Sequence, residues 1–500
     1  MSSLVAELKA PNGREFQQPL GLFINNEFVK SAGGQSLDTI DPATEQKIAT
    51  VEAATADDVD RAVNAAKAAL EDAPWKLLPG TERGILLARL AGLIDENKEL
   101  LATVEAWDNG KPYSKALSGD VPVTADTFRY YGGWADKVFG QTISTTHRKL
   151  AYTIRQPIGV VAQIIPWNYP LSSAAWKLGP ALACGNTVVL KASEQTPLSI
   201  LHLARLIKEA GFPPGVVNII NGYGREAGVA LVKHPLVNKV AFTGSTATAR
   251  DVMRHAASDL KNITLETGGK SPLLVFGDAD IDQAVKWSHL GIMSSQGQIC
   301  TATSRILVQE EIYETFVSQF VKAVQTISRI GDQWDPETYQ GPQVSKAQYD
   351  LILSYVERGL SEGATLVAGG QPAARNGKGF FIAPTVFSNV DDSMAIYQEE
   401  VFGPFVVISS FKTEAEAIRR ANNSQYGLGA AIFTRDIERA HKLVSEIEAG
   451  MVWINSSQDC DYRIPFGGVK QSGVGRELGE AGLEAYTQVK AVHVNLGSRL

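Results

Sequence analysis

Between Thr55 and Leu70 the run TADDVDRAVNAAKAAL opens on a Thr-x-x-Asp capping pattern. It then sets Val59, Ala62, Val63, Ala66 and Leu70 at helical spacing, which predicts an amphipathic helix. A second helix follows Thr81, with Leu86, Leu90, Leu93 and Ile94 on one face. A third runs through Leu100, Leu101 and Val104 until Asn109-Gly110 and Pro112 stop it. On this pattern the first hundred-odd residues are expected to be largely helical. Beyond Tyr152 the period changes to short apolar runs, IGVVAQII, NTVVLKA, GVVNII, KVAFTG, ITLE and SPLLVF, separated by helical segments such as SILHLARLIKEAGF. That is the alternation of a parallel sheet with crossover helices, a doubly wound α/β arrangement. After Cys300 the alternation resumes, with SRILVQ, ATLVAGG, PTVFSNV, FVVISSF, GAAIFT and GMVWIN as strands and EIYETFVSQFVKAVQTI and DIERAHKLVSEIE as helices.

Two α/β lobes are therefore predicted, joined by a tight crossing near Gly268-Gly269 with a cleft between them. QTISTTHRKLAYTIRQ and the tail TQVKAVHVNL read as β-ribbon with no core of their own, the kind of strand that pairs with another subunit. The length, 500 residues at 44% hydrophobic, is ample for such lobes. With 47 basic and 54 acidic residues spread without blocks, the chain lacks the footprint of a nucleic-acid binder. Cys184, Cys300 and Cys460 are the only cysteines, so neither a disulfide framework nor a zinc ribbon is available, no metal site is expected, and a reducing compartment is implied. MSSLVAELKA has no secretory pattern, and the most apolar stretch, from Ile158 to Leu190, is broken by Gln163, Pro166, Asn168 and Lys177. Neither a signal peptide nor a membrane span is expected.

Four places carry chemistry. In FTGST a strand ends at Gly244 and a helix begins after Ser245; such a helix start can hold a phosphate, though strand–Gly–helix turns are common and the GxGxxG fingerprint is absent. Lys191 and Glu194 follow the strand NTVVL, where α/β sheets bind ligands; a carboxylate there suits a ribose diol and repels a 2′-phosphate, and a plain helix cap fits the segment equally well. Glu266 in LETGGKSP and Cys300 in GQICTATS stand beside glycines, as a general base and a nucleophile would. A Cys–His hydrolase is the rival, but none of the seven histidines has a distinctive setting. Cys184, inside PALACGNTVVL, reads as a small buried hydrophobe. In IIPWNYPL two prolines fix Asn168 in a rigid turn, either as an ordinary turn residue or as an oxyanion donor.

In this order, IIPWNYPL, WKLGPALACGNTVVLKASEQTPLS, FTGST, LETGGKSP, GQIC, EEVFGPF and PFGGVKQSGVGRELGE resemble the motifs of the NAD(P)-dependent aldehyde dehydrogenase superfamily over essentially the whole chain. The resemblance implies a Rossmann-like NAD-binding domain over 1–125 and 150–267, a catalytic domain over 268–480 and an oligomerisation arm over 126–149 and 481–500, in a homodimer or homotetramer. It implies Cys300 as nucleophile, Glu266 as the base for deacylation, and Asn168 with the Cys300 N–H as the oxyanion site, with Lys177 and Glu477 passing protons away. Cofactor contacts are implied for Ile164, Pro166, Trp167, Lys191, Glu194, Gly224, Gly244, Ser245, Glu400 and Phe402, with NAD as the cofactor. The presence of Glu266 places the chain in the branch that releases a free acid.

In the substrate tunnel, Ser294 and Cys460 stand where the aliphatic-aldehyde enzymes usually carry aromatic rings, so a widened tunnel and a bulky aldehyde are expected, lined by Tyr169, Trp176 and Phe466. GQICTATSR with VWINSSQDC is also similar to betaine aldehyde and aminoaldehyde dehydrogenases, whose aromatic boxes hold a cationic group. Two positions that are tryptophan in that subgroup are Ser294 and Phe466 here. A non-catalytic structural or binding protein that keeps the fold is the other class, and the intact set of Cys300, Glu266 and Asn168 argues against it. The final Ser498-Arg499-Leu500 matches the small-basic-aliphatic order of a peroxisomal import signal and its receptor, with the cytoplasm as the alternative location.

Overall fold

The computed structural model describes residues 4–375 and 377–497; the tripeptide 498–500 lies outside the described residues. Five apolar runs, Val160–Ile164, Thr187–Lys191, Val217–Ile220, Lys239–Thr243 and Asn262–Glu266, form the parallel centre of an eight-stranded sheet. From Val160–Ile164 the chain steps outward to Thr187–Lys191 and Val217–Ile220, then returns to the opposite side with Lys239–Thr243 and Asn262–Glu266. The order reverses between Val160–Ile164 and Lys239–Thr243, and at such a switch point the loops after the strands part to leave a ligand crevice. These strands read as continuous apolar runs because helices cover both faces. One core gathers Phe128, Tyr131, Leu178 and Leu203, the other Val59, Val63, Val240 and Val252.

A second, seven-stranded sheet places Pro272–Val275 between Arg305–Gln309 and Gly429–Phe433. It is parallel except for Thr365–Ala368 at one edge. The expected helices are present. Ala56–Glu71 starts on Thr55 in a capping box with Asp58, and Lys98–Asn109 ends on Gly110, whose φ of 87° is a left-handed cap that favours glycine.

Three expectations on organisation need correction. Residues 5–52 hold strands and loops, not helices: Val5–Lys9 pairs with Glu15–Pro19, Ser36–Ile40 with Lys47–Glu52, and Leu22–Ile24 with Glu27–Val29 extend the first sheet. Most of these strands are too short or too exposed to show a period of two, although SLDTI does alternate in burial. Within 126–149, residues up to Trp134 belong to the helix Val121–Trp134, which buries Phe128 and Tyr131 at i, i+3 spacing in the first core. The ribbon is instead Thr142–Ile143, Lys149–Pro157 and Thr487–Asn495, all antiparallel. Likewise 481–486 completes the helix Gly479–Glu484 and seats Leu483 and Tyr486 in the first core before the ribbon strand begins. Gly473–Val474, expected in the second lobe, pairs antiparallel with Leu265 and Glu266 at the edge of the first sheet. Among the described residues no helix is long and apolar enough to cross a membrane.

Candidate active site

The strand ends around the switch point open into a cavity of about 750 Å³. The loop after Val160–Ile164 brings Pro166, Trp167, Asn168 and Tyr169 to its wall; Lys239–Thr243 brings Gly244 and Ser245, and Asn262–Glu266 brings Glu266. Cys300, Glu400 and Phe402 come from the other side, and Glu477 follows the edge strand Gly473–Val474 of the first sheet, so residues far apart in sequence share one space.

Cys300 sits beyond a tight turn in which Ser295, Gln296 and Gly297 all have left-handed φ, 47°, 56° and 68°. Left-handed backbone at non-glycine residues persists only where the surroundings hold it. Here the Gln296 amide donates to the Gly110 carbonyl at 3.1 Å, Val344 N–H donates to Gln298 Oε1 at 3.1 Å, and a Cβ at Gly297 would overlap the Gly403 carbonyl. Asn168 Nδ2 donates one hydrogen to the Gln298 carbonyl at 2.9 Å, which ties the amide to the nucleophile's loop. A primary amide has a second hydrogen to give.

The Asn168 turn is itself clamped by residues that carried no sequence signal. Asn109 Nδ2 donates to the Trp167 carbonyl at 2.7 Å. Buried Lys111 donates to the Asn168 carbonyl at 2.9 Å, pairs with Asp120 and lies 4.2 Å above the Tyr169 ring centroid. Two charges removed from water in this way hold geometry more than they add stability.

Glu266 is buried, and neither of its carboxylate oxygens has a hydrogen-bond partner among the described residues. Burial holds it well above the ordinary carboxylate range, and the neighbouring Glu477 charge pushes the same way. Glu477 pairs with Lys177, whose ammonium also donates to Thr243 Oγ1 at 2.7 Å. The three groups therefore form one buried cluster behind the cavity. Burial raises the Cys300 thiol too, and the Glu400 and Glu266 charges add to the shift.

The cofactor residues divide. Glu400 accepts from Gly269 N–H at 2.9 Å, and a Cβ at Gly268 would overlap the Glu400 carboxylate, so glycine is required there. Enclosure raises Glu400 to about 7. Ser245 caps the helix Thr246–Ala256, leaving its N-terminal end at the cavity, and Trp167 meets Phe402 edge to face at 5.3 Å. Ile164, Lys191, Glu194 and Gly224 do not line this cavity. Lys191 ends its strand and pairs with the half-exposed Glu194 at 3.2 Å, Ile164 packs partly buried against the second core, and Gly224 opens the turn Gly224–Gly228. A helix start, a ribose-sized carboxylate at the next strand end and a second carboxylate beside the thiol fit the parts of a dinucleotide.

The family model for the aldehyde dehydrogenase family matches residues 28–492. The chain belongs to the aldehyde dehydrogenase family. Its chemistry is the oxidation of an aldehyde with a nicotinamide cofactor. An aldehyde dehydrogenase of Aspergillus niger is 51% identical, covering 100% of each chain. The NAD+ complex of a Bacillus cereus aldehyde dehydrogenase superposes with a TM-score of 0.94 at 49% identity, over 96% of this chain and 97% of that one. A Staphylococcus aureus betaine aldehyde dehydrogenase with NAD+ gives 0.94 at 40% identity, over 97% and 96%.

In the same cavity, Trp176 and Phe466 meet edge to face at 4.9 Å, and Tyr169 stands on the Lys111 clamp. Ser294 and Cys460 both line the space, as the sequence reading placed them. Tyr339 and Lys115 also line it and were missed; nothing in the local pattern sets them apart from an ordinary loop tyrosine and an exposed lysine. Cys184 is buried, as expected of filler.

Proposed function

We propose that this aldehyde dehydrogenase converts a bulky aldehyde to its carboxylic acid with NAD, through a thioester on Cys300. The observation that carries the reading is the convergence of Cys300, Asn168 and Glu266 on one cavity. Cys300 Sγ adds to the carbonyl carbon as its proton leaves to water in the open cavity, giving a thiohemiacetal. The carbonyl oxygen, gaining charge, meets the free hydrogen of Asn168 Nδ2 and the Cys300 N–H, donors held in place by the Lys111 clamp. When bound, the nicotinamide brings a positive charge beside the thiol and accepts the hydride. Glu266 then takes a proton from water; the oxygen adds to the thioester carbon, the C–S bond breaks, and acid leaves as Cys300 is restored. The Lys177–Glu477 pair carries the proton onward from Glu266.

Lys191 and Glu194 would hold the adenosine ribose, Ser245 and its helix start the pyrophosphate, and Glu400 the nicotinamide ribose. A 2′-phosphate would face the Glu194 carboxylate, so NAD is preferred. Glu194→Gln should narrow the NAD-to-NADP ratio of kcat/KM by about tenfold, the scale of one like-charge contact. An unchanged ratio would place the discrimination elsewhere.

With small side chains at 294 and 460 the channel is wide, and benzaldehyde should outperform acetaldehyde in kcat/KM. Ser294→Phe combined with Cys460→Phe should reverse that order, since each methylene-scale loss of room is worth about 1–3 kcal/mol. If the double variant keeps the wild-type order, width does not select the substrate. Betaine aldehyde in the same panel tests the cationic alternative.

The ribbon supports self-association. Leu150, Ile154 and Val489 are exposed on it, and Thr487–Asn495 is an edge strand. Val489→Glu should shift the sedimenting species to a smaller one, whereas a wild-type protein that already sediments as a monomer contradicts the assignment.

A further inference from the structure

Apart from Cys300, Glu266 and Asn168, the cavity wall contains a short chain of contacts that runs from Ser294 to Lys115. Ser294, six residues before Cys300, ends the helix Ile281–Met293, and its hydroxyl lies 3.3 Å from the Tyr339 hydroxyl. The Tyr339 ring in turn lies under the Lys115 ammonium, 5.4 Å from its centroid. Ser294, Tyr339 and Lys115 all line the same cavity as Cys300, together with the partly exposed apolar side chains Val123 and Leu290.

The other charges on this wall are accounted for. Lys111 is committed to Asp120, Glu477 to Lys177, and Glu400 to Gly269 N–H. Glu266 is buried and shifted toward its neutral form. Lys115 alone among the wall's cations has no carboxylate within ion-pair distance among the described residues. A ligand held at Cys300 thus shares its cavity with apolar surface, a pair of hydroxyls and an exposed, unpaired ammonium.

We propose that Lys115, with the Tyr339 and Ser294 hydroxyls, makes this enzyme prefer aldehydes carrying a carboxylate at the end away from the carbonyl, and disfavour those carrying an ammonium group. The inference rests on the reading of Cys300 as the nucleophile and of this cavity as the aldehyde channel. The ammonium supplies long-range attraction, and at closer range the hydroxyl of the pair whose hydrogen is not given to the other donates to a carboxylate oxygen. The same charge repels a distal cation, so the aromatic wall of Trp176 and Phe466 serves as apolar lining here rather than as a cation box.

The test compares 4-carboxybenzaldehyde with 4-methylbenzaldehyde, two aldehydes of similar size, in the full-length enzyme with NAD. The readout is the ratio of their kcat/KM values, so any general loss in a variant divides out. Wild-type protein should favour the carboxylate by about fivefold, the scale of one partly exposed ion pair, acting through KM and weakening as salt is raised. Lys115→Met should bring the ratio to about one, Lys115→Glu should take it below one, and Lys115→Arg should keep the preference. Oxidation of both aldehydes at a wild-type ratio of one or less overturns this inference alone. So does a preference that survives both Lys115→Met and Lys115→Glu. Failure to oxidise either aldehyde overturns the reading of this cavity as a channel for bulky aldehydes, and this inference with it.

Discussion

Cys300→Ala is expected to abolish cofactor reduction with every aldehyde, a loss of at least about 10⁴-fold, because removal of a covalent nucleophile eliminates the route itself. The experiment is sharp because the cavity holds a second thiol. Cys460 lines the same wall, but the Asn168 amide is hydrogen-bonded to Gln298, two residues before Cys300, so this side-chain amide is tied to the loop of Cys300. Alanine fits where a half-buried cysteine stood, so folding and cofactor binding should persist, and fluorescence titration with NAD should show it. Sustained formation of reduced cofactor in the alanine variant would move the nucleophile to another group, with Cys460 the first to test.

Glu266→Gln is expected to separate the two halves of the reaction. The first turnover should produce a burst of reduced cofactor close to one equivalent per site, since acylation does not need this carboxylate. Steady-state turnover should then fall by about 10²- to 10⁴-fold, the usual contribution of a positioned general base. The pH dependence carries a second signature. Glu266 is held above the ordinary carboxylate value of about 4.3 by burial and by Glu477, and its base form is lost as pH falls through that raised value. Wild-type steady-state turnover should therefore decline with acidification well above pH 4.3, and the glutamine variant should lack that limb. Equal loss of burst and steady state would show that Glu266 acts before the thioester forms.

The parallel strands were legible in the sequence because each is covered on both faces and reads as an unbroken apolar run. Ser245 follows directly from such a strand end, whereas Asn168 stands out only by its flanking prolines and Glu266 by its neighbouring glycines, and the roles of both come from the family resemblance. The strands before residue 54 were not legible, since three-residue elements such as Leu22–Ile24 contain too few positions to show a period. Residues 126–134 are expected in the oligomerisation arm because nothing in their local pattern separates them from it, yet Phe128 and Tyr131 anchor them in the core. The Lys111–Asp120 pair was invisible for a different reason. A buried ion pair leaves no pattern along the chain; it exists only once the end of one helix and the start of another meet beneath the Asn168 turn. Lys191 and Glu194 show the converse: correctly read as a strand-end pair, they lie off the wall of the reaction cavity.

The two residues Gly473 and Val474 close the edge of the first sheet against the strand that carries Glu266, and the helix Gly479–Glu484 follows into the same core. This has a consequence for how the molecule is made. During synthesis the first lobe's parallel strands emerge well before residues 473–474, so the flank of Glu266 stays open to water until that later segment has left the ribosome. Cutting the gene at the crossing near Gly268 would thus leave Glu266 in one half and the segment that flanks it in the other, so neither half alone would bury this carboxylate.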